Sequence, residues 1–529
     1  MMQQNDEQNK NHQAGNERPD NFRENFNALW EYIVNFSSML KDEDDVLIVS
    51  HHDADGVTSC AIMYKLFKEL GINFDFATIK QLESGTLSDI NKLLKEKNLG
   101  TVVFTDMGSG QIDMIESEIS VNNFYIIDHH APLREHAHQL NPHFFGFDGG
   151  KDVSGSGMCY FVSKAAGYTD MADIAIVGAV GDMQDSTGKL GSLNRIILDD
   201  GVEKGLLTLE YDLRFFGRQT RSIAHLLTYA SDPVIPGITG NFNASVDFIM
   251  NLEIPIKKNL QDNLTGNHNE NYNESAENFN KIEPGLEQVN NGCIPADSQW
   301  RRYIDLTGDE KQKLRDAIYI ELVKNNTPEF LLGRVFGEVY TLTREREGTE
   351  LRDAKEFATM MNACGRQDQS EIGVHVCTGD RNRYLQIARN LLKKHRRALR
   401  EGLNYLSSIN IIETDAFYYF DGSGVIEESI IGVIAGMAYG AKIIPSNKPV
   451  IAIATDSNNA DQKKISSRAT WHLVHSGINL GAAMRESSGR VGGEGGGHDI
   501  AAGATIAAGK VDEFISYLDE EFKRQKEKG

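Results

Sequence analysis

The stretch Val46-Leu47-Ile48-Val49-Ser50-His51-His52-Asp53-Ala54-Asp55-Gly56 sets the interpretation of the whole chain. Residues 46–50 form an apolar run rich in β-branched side chains, which predicts a short buried strand. Gly56 allows the backbone to turn, and the apolar period over residues 57–70 predicts a helix. The chain therefore passes from strand to helix through a segment rich in imidazole and carboxylate groups.

Three of those groups stand at alternating positions, His51, Asp53 and Asp55. Alternate side chains of an extended segment point the same way, so we expect the three to converge beyond the carboxyl end of the strand. Open parallel sheets hold their ligands at that edge. Mixed nitrogen and oxygen donors suit a divalent ion such as manganese better than calcium or a structural zinc. Taken alone, the stretch is also explained as a turn, because Asp and Gly are common turn formers.

Three later segments favour the metal interpretation. Residues 101–106 predict a second strand that ends in a carboxylate, and residues 123–130 predict a third that ends in Asp-His-His. Residues 174–182 are an apolar run that ends in Gly-Asp. Four apolar segments with such endings are hard to explain by turn chemistry. So many carboxylates indicate two ions that share a bridging ligand, the arrangement used for in-line attack on phosphorus.

Composition limits the class of protein. The chain has 529 residues, which predicts two or three domains with a sizeable core. A net charge of −22 argues against a general polyanion binder, since nucleic-acid enzymes usually present a basic face. The basic tract at residues 393–400 is either such a local face or a solvated helix surface. Scattered cysteines without a CxxC pair, and the lack of a recognisable membrane span or targeting segment, lead us to expect a cytoplasmic protein.

Element patterning predicts the fold class. Strands alternate with helices from residue 26 to about residue 167, which is typical of an α/β fold with a doubly wound parallel sheet. Ser154-Gly155-Ser156-Gly157 opens a further helix; its N–H groups would suit a phosphate, and an ordinary N-cap explains the residues nearly as well. The Asn-rich residues 258–292 predict a flexible insertion.

Three short motifs lie in the second half of the chain. Asn362-Ala363-Cys364-Gly365-Arg366 follows a predicted helix at residues 352–361; Gly365 would permit close backbone approach, and Arg366 offers a planar fork to phosphate. Ser466-Ser467-Arg468 comes after a predicted strand. Gly492-Gly493-Glu494-Gly495-Gly496-Gly497-His498 is either a flexible loop or a segment whose N–H groups point at an anion.

Together these motifs resemble the DHH phosphoesterase superfamily. The order His-x-Asp-x-Asp-Gly, lone Asp, Asp-His-His, Gly-Asp is that of the superfamily, and Asp128-His129-His130 reproduces its middle motif letter for letter. The three later motifs are similar to those of RecJ-type exonucleases and of the DHH-associated, Gly-Gly-His domain. The initial histidine and Cys364 are more similar to archaeal RecJ relatives, including the nuclease that associates with the GINS replication complex.

The resemblance implies a domain plan. A DHH domain with a helical extension would span residues 26–255, and a smaller α/β DHH-associated domain would span 413–529, with an active-site cleft between them. A disordered tail would occupy 1–25, a flexible insertion 256–300, and a connecting region 301–412.

The resemblance also implies roles for particular residues. Two Mn²⁺ ions, or Mg²⁺, would be held by His51, Asp53, Asp55, Asp106, His129 and Asp182, with Asp106 bridging. Asp128 would orient a ligand histidine, His130 would be a further ligand or a phosphate contact, and His498 would complete the catalytic set. Substrate phosphates would be bound by Asn362, Arg366, Ser466, Arg468, Gly496 and Gly497.

The implied activity is the hydrolysis of single-stranded nucleic acid, with single-stranded DNA degraded from the 5′ end during replication or repair, RNA as another substrate, and a GINS-type complex as a partner. Two other members of the superfamily are alternatives. One is a phosphodiesterase of oligonucleotides or cyclic dinucleotides, and the other is a replisome scaffold without catalysis. Every expected ligand position is filled, which favours an active enzyme.

Overall fold

The computed structural model describes residues 21–121, 123–230, 234–258, 299–457 and 459–528. The chain divides into two compact units. The first unit contains residues 1–212, 337–346 and 351–388, and the second contains 213–336, 347–350 and 389–529. Residues 1–20 of the predicted tail and residues 259–298 of the predicted insertion lie outside the described residues.

The first unit alternates strands and helices as predicted. Its main elements in chain order are α1 (Phe22–Lys41), β1 (Asp45–His51), α2 (Ala54–Leu70), β2 (Asn73–Ile79), α3 (Ser84–Lys97), β3 (Thr101–Thr105), α4 (Ile112–Glu118), β4 (Asn123–Ile127), β5 (Gln139–Leu140), α5 (Gly155–Ala165), α6 (Ala172–Gly181), α7 (Ser192–Glu203), β6 (Leu207–Leu213), β7 (Phe336–Leu342), α12 (Ala354–Arg366) and α13 (Ser370–Cys377). The helix α1 begins at Phe22, so it includes residues 22–25, the last four residues of the predicted tail.

Five strands of this unit form one parallel sheet, which confirms the predicted fold class. Their order is β2-β1-β3-β4-β5, so β1 and β3 are neighbours at its centre. On one face, Leu47 and Phe104 pack against Ile90 of α3 and Ile115 of α4. The helix α2 packs on β1, with α5 and α6 packed in turn on α2. The carboxyl ends of β1, β3 and β4 therefore meet at one edge of a sheet whose central strands are buried.

Two local predictions change in this unit. The helix α2 begins at Ala54 rather than at residue 57, because the Asp53 carboxylate accepts a hydrogen bond from the Gly56 N–H and caps the helix. Gly56 lies inside the helix, where its role is close packing: a Cβ there would lie 2.2 Å from the His51 carbonyl oxygen.

Cys60, Cys159, Cys364 and Cys377 are buried free thiols.

The second unit contains a helical region and a mixed sheet. Its elements in chain order are α8 (Ile223–Thr228), α9 (Phe242–Met250), α10 (Gly308–Lys324), α11 (Glu329–Val335), most of α14 (Arg383–Ser408), β8 (Ile412–Glu413), β9 (Tyr418–Asp421), α15 (Glu428–Gly440), β10 (Val450–Thr455), β11 (Gln462–Arg468), α16 (Trp471–His475), α17 (Leu480–Arg490), β12 (Glu494–Gly497), β13 (Ala501–Ala507) and α18 (Val511–Lys528). At the ends of the predicted insertion, Lys257 pairs with Trp300 in an antiparallel bridge.

The sheet of the second unit has the order β12-β13-β11-β10-β9-β8. The helices α17 and α18 cover one face through Met484, Phe514 and Leu518. The helix α15 covers part of the other face through Ile430 and Ile434. This second α/β sheet agrees with the predicted fold class.

Candidate metal centre

Asp106 occupies the centre of the candidate site, directly after β3. Its backbone has a φ of 59°, a left-handed conformation that is uncommon outside glycine. The side chain is 2% exposed, and its two oxygens face different partners. Oδ2 lies 3.6 Å from His51 Nδ1, whereas Oδ1 lies 3.1 Å from His129 Nε2. One carboxylate therefore stands between two groups of potential ligands.

The first group is His51, Asp53 and Asp106. His51 Nδ1 lies 3.1 Å from Asp53 Oδ1, and one ligand atom from each of the three residues lies within 4.8 Å of the others. His51 ends β1, and Asp53 is the N-cap of α2. The strand-to-helix junction thus supplies two neighbouring donors, as the sequence predicts for these two positions.

The second group is Asp55, His129 and Asp182, again with ligand atoms within 4.8 Å of one another. The prediction that Asp55 converges with His51 and Asp53 by strand alternation is therefore wrong in its reason. Because α2 begins at Ala54, Asp55 lies in the first helical turn and faces His129, whose Nε2 is 3.6 Å from Asp55 Oδ2. Asp182 follows α6, so the fourth apolar segment is a helix.

The N-terminus of α5 binds Asp55. The N–H groups of Gly155 and Ser156 donate to its two oxygens at 2.6 and 3.0 Å, and the Ser154 hydroxyl caps the helix by accepting from the Gly157 N–H. The anion that this helix start holds is thus a carboxylate of the protein itself, which corrects the phosphate cradle considered from sequence.

His129 is fixed in one orientation. Its Nδ1 lies 2.7 Å from the Gly149 carbonyl oxygen, so Nδ1 carries the donated hydrogen. In the neutral ring Nε2 then presents a lone pair towards the oxygens of Asp106 and Asp55. Two acceptors that face each other at 3.1 Å require a proton or a cation between them. Asp106 Oδ1 is buried and has no hydrogen-bond partner among the described residues, as expected of a ligand atom.

Asp128 organises the Asp-His-His segment, and it belongs to a third group of potential ligand atoms within 4.8 Å of one another, with Asp106, His129 and His130. Its carboxylate accepts hydrogen bonds from the N–H groups of Ser109, His129 and His130 at 2.9, 2.8 and 3.1 Å. It also lies 2.8 Å from His130 Nδ1, so the histidine that it orients is His130 rather than His129. The His130 side chain is 53% exposed, with Nδ1 3.9 Å from Asp106 Oδ1.

The pKa values in this cluster reflect an excess of buried negative charge. Burial, reinforced by the charge of Asp106, raises the pKa of Asp55 to about 7. Burial alone would lower the pKa of His129, but nearby Asp106, Asp182 and Asp55 outweigh it and hold that pKa well above its ordinary value. Burial would also lower the pKa of His130, but Asp128 and Asp106 outweigh burial and raise that pKa to about 9. In the absence of cations the cluster therefore retains protons, a role that divalent ions would take over.

The Asn-Ala-Cys-Gly-Arg motif lies inside the helix α12 rather than after it. Asn362 Oδ1 accepts a hydrogen bond from the Ala54 N–H at 2.9 Å, which holds the first turn of α2. A Cβ on Gly365 would lie 1.9 Å from the His52 carbonyl oxygen, so the predicted close approach is present. Burial lowers the pKa of Arg366, and the charge of Asp53 opposes that shift. The motif thus supports the β1–α2 junction.

Sequence reasoning missed several residues around the cluster. The Gln184 amide donates to Asp182 Oδ2 at 2.9 Å and to the Gly149 carbonyl at 2.8 Å, which links Asp182 to the partner of His129. A Cβ on Gly149 would lie 1.7 Å from the His129 carbonyl oxygen, so the Gly149-Gly150 pair was a signal of close approach. Nδ1 of His52 is buried without a hydrogen-bond partner among the described residues.

In the second unit, Ser466 and Arg468 lie on one face of β11. A Cβ on Gly432 of α15 would lie 2.6 Å from Arg468 Nη2 and 3.1 Å from Ser466 Oγ. Both side chains therefore lie against a glycine that leaves room for them. Arg468 Nη1 also donates to the Ser467 carbonyl at 2.7 Å.

The glycine-rich motif is an edge strand and a hairpin rather than a loop. Residues Glu494–Gly497 form β12, in which Gly496 pairs with Gly503 of β13, and Gly503 pairs in turn with Ser466. We call Gly496, Gly503 and Ser466 the glycine row. The N–H of the exposed His498 donates to the Ala501 carbonyl at 2.9 Å, so that backbone donor is engaged in the hairpin.

Family models match three parts of the chain. The N-terminal domain of the DHH family matches residues 45–179, the DHH-CID domain matches 215–264, and the DHHA1 domain matches 423–524. An uncharacterised protein of Methanocaldococcus jannaschii is 30% identical over 504 residues, which are 93% of this chain and 95% of the relative. The chain belongs to the DHH superfamily. The predicted resemblance is confirmed at that level.

Two solved structures share the fold of this DHH protein. RecJ from Thermus thermophilus in complex with Mn²⁺ has a TM-score of 0.52 at 14% identity, covering 94% of this chain and 55% of that one. CDC45 from Entamoeba histolytica has a TM-score of 0.56 at 13% identity, covering 95% of this chain and 99% of that one. The DHH chain thus has a RecJ-like fold but spans about half of the Thermus protein.

In the described part of the chain, no helix combines the length and the apolar character that a membrane crossing requires.

Proposed function

We propose that this DHH protein is a metal-dependent phosphodiesterase that degrades single-stranded nucleic acid as an exonuclease. The observation that carries the proposal is the position of Asp106, with one oxygen towards His51 and the other towards His129. A carboxylate shared between two donor groups is what two-ion phosphoryl chemistry requires.

The residues present fit two divalent ions. His51, Asp53 and Asp106 would hold one, and Asp55, His129 and Asp182 the other, with Asp106 shared. The buried Asp106 Oδ1 without a hydrogen-bond partner among the described residues and the fixed tautomer of His129 are the supporting details. Nitrogen and oxygen donors together suit Mn²⁺, with Mg²⁺ as the second choice. The Thermus RecJ of similar fold was crystallised with Mn²⁺.

Divalent ions in this cluster would supply the acidity that activates water and the charge that offsets the phosphate. The protein itself contributes a positioned imidazole, that of His130. Asp128 binds His130 Nδ1 at 2.8 Å, which leaves Nε2 of this half-exposed ring to face substrate. In the metal-free protein the pKa of His130 is raised to about 9, and an imidazolium at this position would suit a phosphate oxygen. Asp128 acts by orienting that ring.

Substrate phosphates are assigned to the later motifs. Arg366 would serve from the first unit, whereas Ser466, Arg468, Gly496, Gly497 and His498 would serve from the second. Asn362 is a weaker candidate, because its carbonyl oxygen is committed to the Ala54 N–H. The cleft between the domains stays a prediction.

The biological setting is proposed from the resemblance to RecJ-type exonucleases and their archaeal relatives, and from the composition of the chain. We expect single-stranded DNA, degraded from the 5′ end in replication or repair, with RNA as a second substrate. A GINS-type replication complex is the proposed partner, and the cytoplasm the proposed compartment.

The test is digestion of end-labelled single-stranded DNA and RNA with Mn²⁺, beside a dinucleotide and a cyclic dinucleotide at equal molarity. The proposal predicts stepwise release of mononucleotides and higher rates on a twenty-nucleotide strand than on either dinucleotide. Much faster cleavage of dinucleotides would support the oligonucleotide phosphodiesterase. No cleavage, together with no Mn²⁺ binding by calorimetry, would support a scaffold.

A further inference from the structure

Arg485 reaches round the edge of the second unit's sheet. It belongs to α17, which packs against the edge strand β12 on the side faced by Gly495, where a Cβ would lie 2.7 Å from the Met484 carbonyl oxygen. Successive residues of a strand face opposite sides, so Gly496 faces away from α17. A Cβ on Gly496 would nevertheless lie 3.7 Å from Arg485 Nη2. The guanidinium of Arg485 therefore reaches the edge of the sheet beside Gly496, next to the far face that Gly496 presents.

That far face is the one that carries Ser466 and Arg468. Gly496 pairs with Gly503, which pairs with Ser466, and directly paired residues of antiparallel strands present the same face. The glycine row thus has Arg485 at its β12 end and Arg468 at its β11 end. Two strand spacings separate Gly496 from Ser466, about 10 Å. One phosphate group cannot span that distance, so each arginine would meet a different phosphate.

Arg485 forms no ion pair with a carboxylate in the described part of the protein. It lines a cavity of about 460 Å³ with two other arginines, Arg490 and Arg524, and two glutamates, Glu486 and Glu521. Arg490 pairs with Glu486 at 3.1 Å, and Arg524 pairs with Glu521 at 2.7 Å. No described carboxylate lies within 4.0 Å of the Arg485 guanidinium. Among the three arginines, Arg485 is the one suited to an external anion.

The neighbouring row of residues in the sheet is less suited than the glycine row to bind a polynucleotide. It consists of Glu494, Thr505 and Lys464, in the same register and on the same face as the glycine row. A phosphate chain that ran along it would end at the Glu494 carboxylate and be repelled. Along the glycine row it would cross a floor without side chains at two of three positions and meet an arginine at each end.

We propose that Arg485 binds a second phosphate of a polynucleotide, separate from the one bound by Ser466 and Arg468, and so favours long strands over dinucleotides. This inference rests on the proposed function, since it assumes a phosphodiester substrate.

The test uses the full-length protein with Mn²⁺, and compares Arg485→Ala with Arg490→Ala and Arg524→Ala as matched controls from the same cavity. On a twenty-nucleotide strand we expect Arg485→Ala to raise KM roughly 10-fold with little change in kcat. It should also reduce the salt dependence of binding by about 0.7 in log–log slope, the value for one lost phosphate contact on a single strand. The loss should be much smaller on a dinucleotide with a single phosphodiester. Arg485→Lys should restore part of the affinity, and the two controls should match the wild type.

The outcomes separate this inference from the proposed function. If the wild type cleaves long strands and Arg485→Ala matches it in KM and salt slope, the inference alone is overturned. Equal losses on both substrates with a lowered Tm would assign Arg485 a structural role and also overturn it. If the wild type neither binds nor cleaves any single strand, the proposed function fails and the inference with it.

Discussion

The carboxylate cluster of the first unit and the glycine row of the second are built in opposite ways. The cluster is His51, Asp53, Asp55, Asp106, His129 and Asp182, and its acidic core is buried and held by backbone N–H groups and helix starts. The glycine row is half-exposed, has few side chains, and is flanked by arginines. Clustered carboxylates such as Asp55, whose pKa is raised by burial, need cations, whereas guanidinium groups beside glycines suit anions. Under the proposed function, the cluster would hold the catalytic ions, and the glycine row would bind substrate phosphates.

The largest expected effect is loss of the shared carboxylate. Asp106→Asn keeps the shape of the side chain and a residue type that tolerates a left-handed backbone. We expect kcat/KM on single-stranded DNA to fall by several orders of magnitude, with Mn²⁺ binding lost in calorimetry and metal-free stability kept. Asp113→Asn is the control, because the exposed Asp113 pairs with Arg134 on the surface. Normal turnover in Asp106→Asn would remove the cluster from catalysis.

The second prediction concerns the support of the cluster. Gly365→Ala would place a Cβ 1.9 Å from the His52 carbonyl oxygen, and backbone cannot yield as a side chain tip can. We expect a loss of about 1–3 kcal/mol in the free energy of unfolding and a clear fall in kcat/KM. Gly85→Ala in α3 meets nothing within 4 Å and should stabilise by about 0.5–1 kcal/mol. Urea denaturation measures the free energy of unfolding of both variants. Equal values for Gly365→Ala and Gly85→Ala would contradict the close approach at Gly365.

The third prediction concerns how the free energy of unfolding depends on pH through His130 and Asp55. The folded pKa of His130 is about 9 against an ordinary 6.5, so its contribution to stability is complete below about 6.5 and is lost as the pH rises to about 9. Asp55, raised from 3.8 to about 7, makes the folded state bind an extra proton between these values and acts in the same direction. Metal-free protein should therefore lose stability as the pH rises.

The histidine part of that loss should be about 1 kcal/mol, because the His130 side chain is 53% exposed and solvent screens its pair with Asp128. Urea denaturation from pH 6 to pH 9.5 measures it, with His130→Ala as the reference. Saturating Mn²⁺ should flatten the curve, since ions replace protons in the cluster. If the free energy of unfolding fell more steeply with pH in His130→Ala than in the wild type, the prediction for His130 would be contradicted.

The smallest effect is expected at the arginine side. Gly432→Ala would bring a Cβ within 2.6 Å of Arg468 Nη2, the mobile end of the side chain, so the guanidinium moves and the fold stays. We expect KM for single strands to rise several-fold, with unchanged Mn²⁺ affinity. Gly436→Ala, whose Cβ would lie 3.7 Å from Arg468 Cγ, is the control on the same helix. A change in metal binding would argue against the separation of roles.

The two regions also differ in how far the sequence predicted them. The parallel sheet, and the placing of His51 and Asp106 at its edge, followed from apolar runs that end in acid or imidazole. The place of Asp55 did not, because strand alternation stops where the Asp53 cap starts α2, and capping competes with an extended backbone at the same residues.

Gly56 shows where local reasoning about glycine fails. It predicted a turn, because glycine often serves that purpose, but it lies inside α2. The glycine-rich motif left a loop and an anion-binding segment open, and it forms an edge strand and a hairpin. In both places the glycine instead allows another backbone or side chain to come close, inside a helix or a strand. The close approach predicted at Gly365 is present, but the neighbour that comes close, His52, is distant in the chain, and no local pattern identifies it.

The left-handed backbone at Asp106 bears on how such a site is inherited. Asp53 stabilises the fold as the cap of α2. The left-handed backbone and the burial of Asp55 and Asp106 oppose folding, so neutral residues at those two positions would leave the metal-free chain at least as stable. Selection for a stable fold therefore does not maintain them; only selection for what they bind does. A lineage released from that requirement would lose its acids early while its architecture persisted, and inactive descendants would be easy to reach.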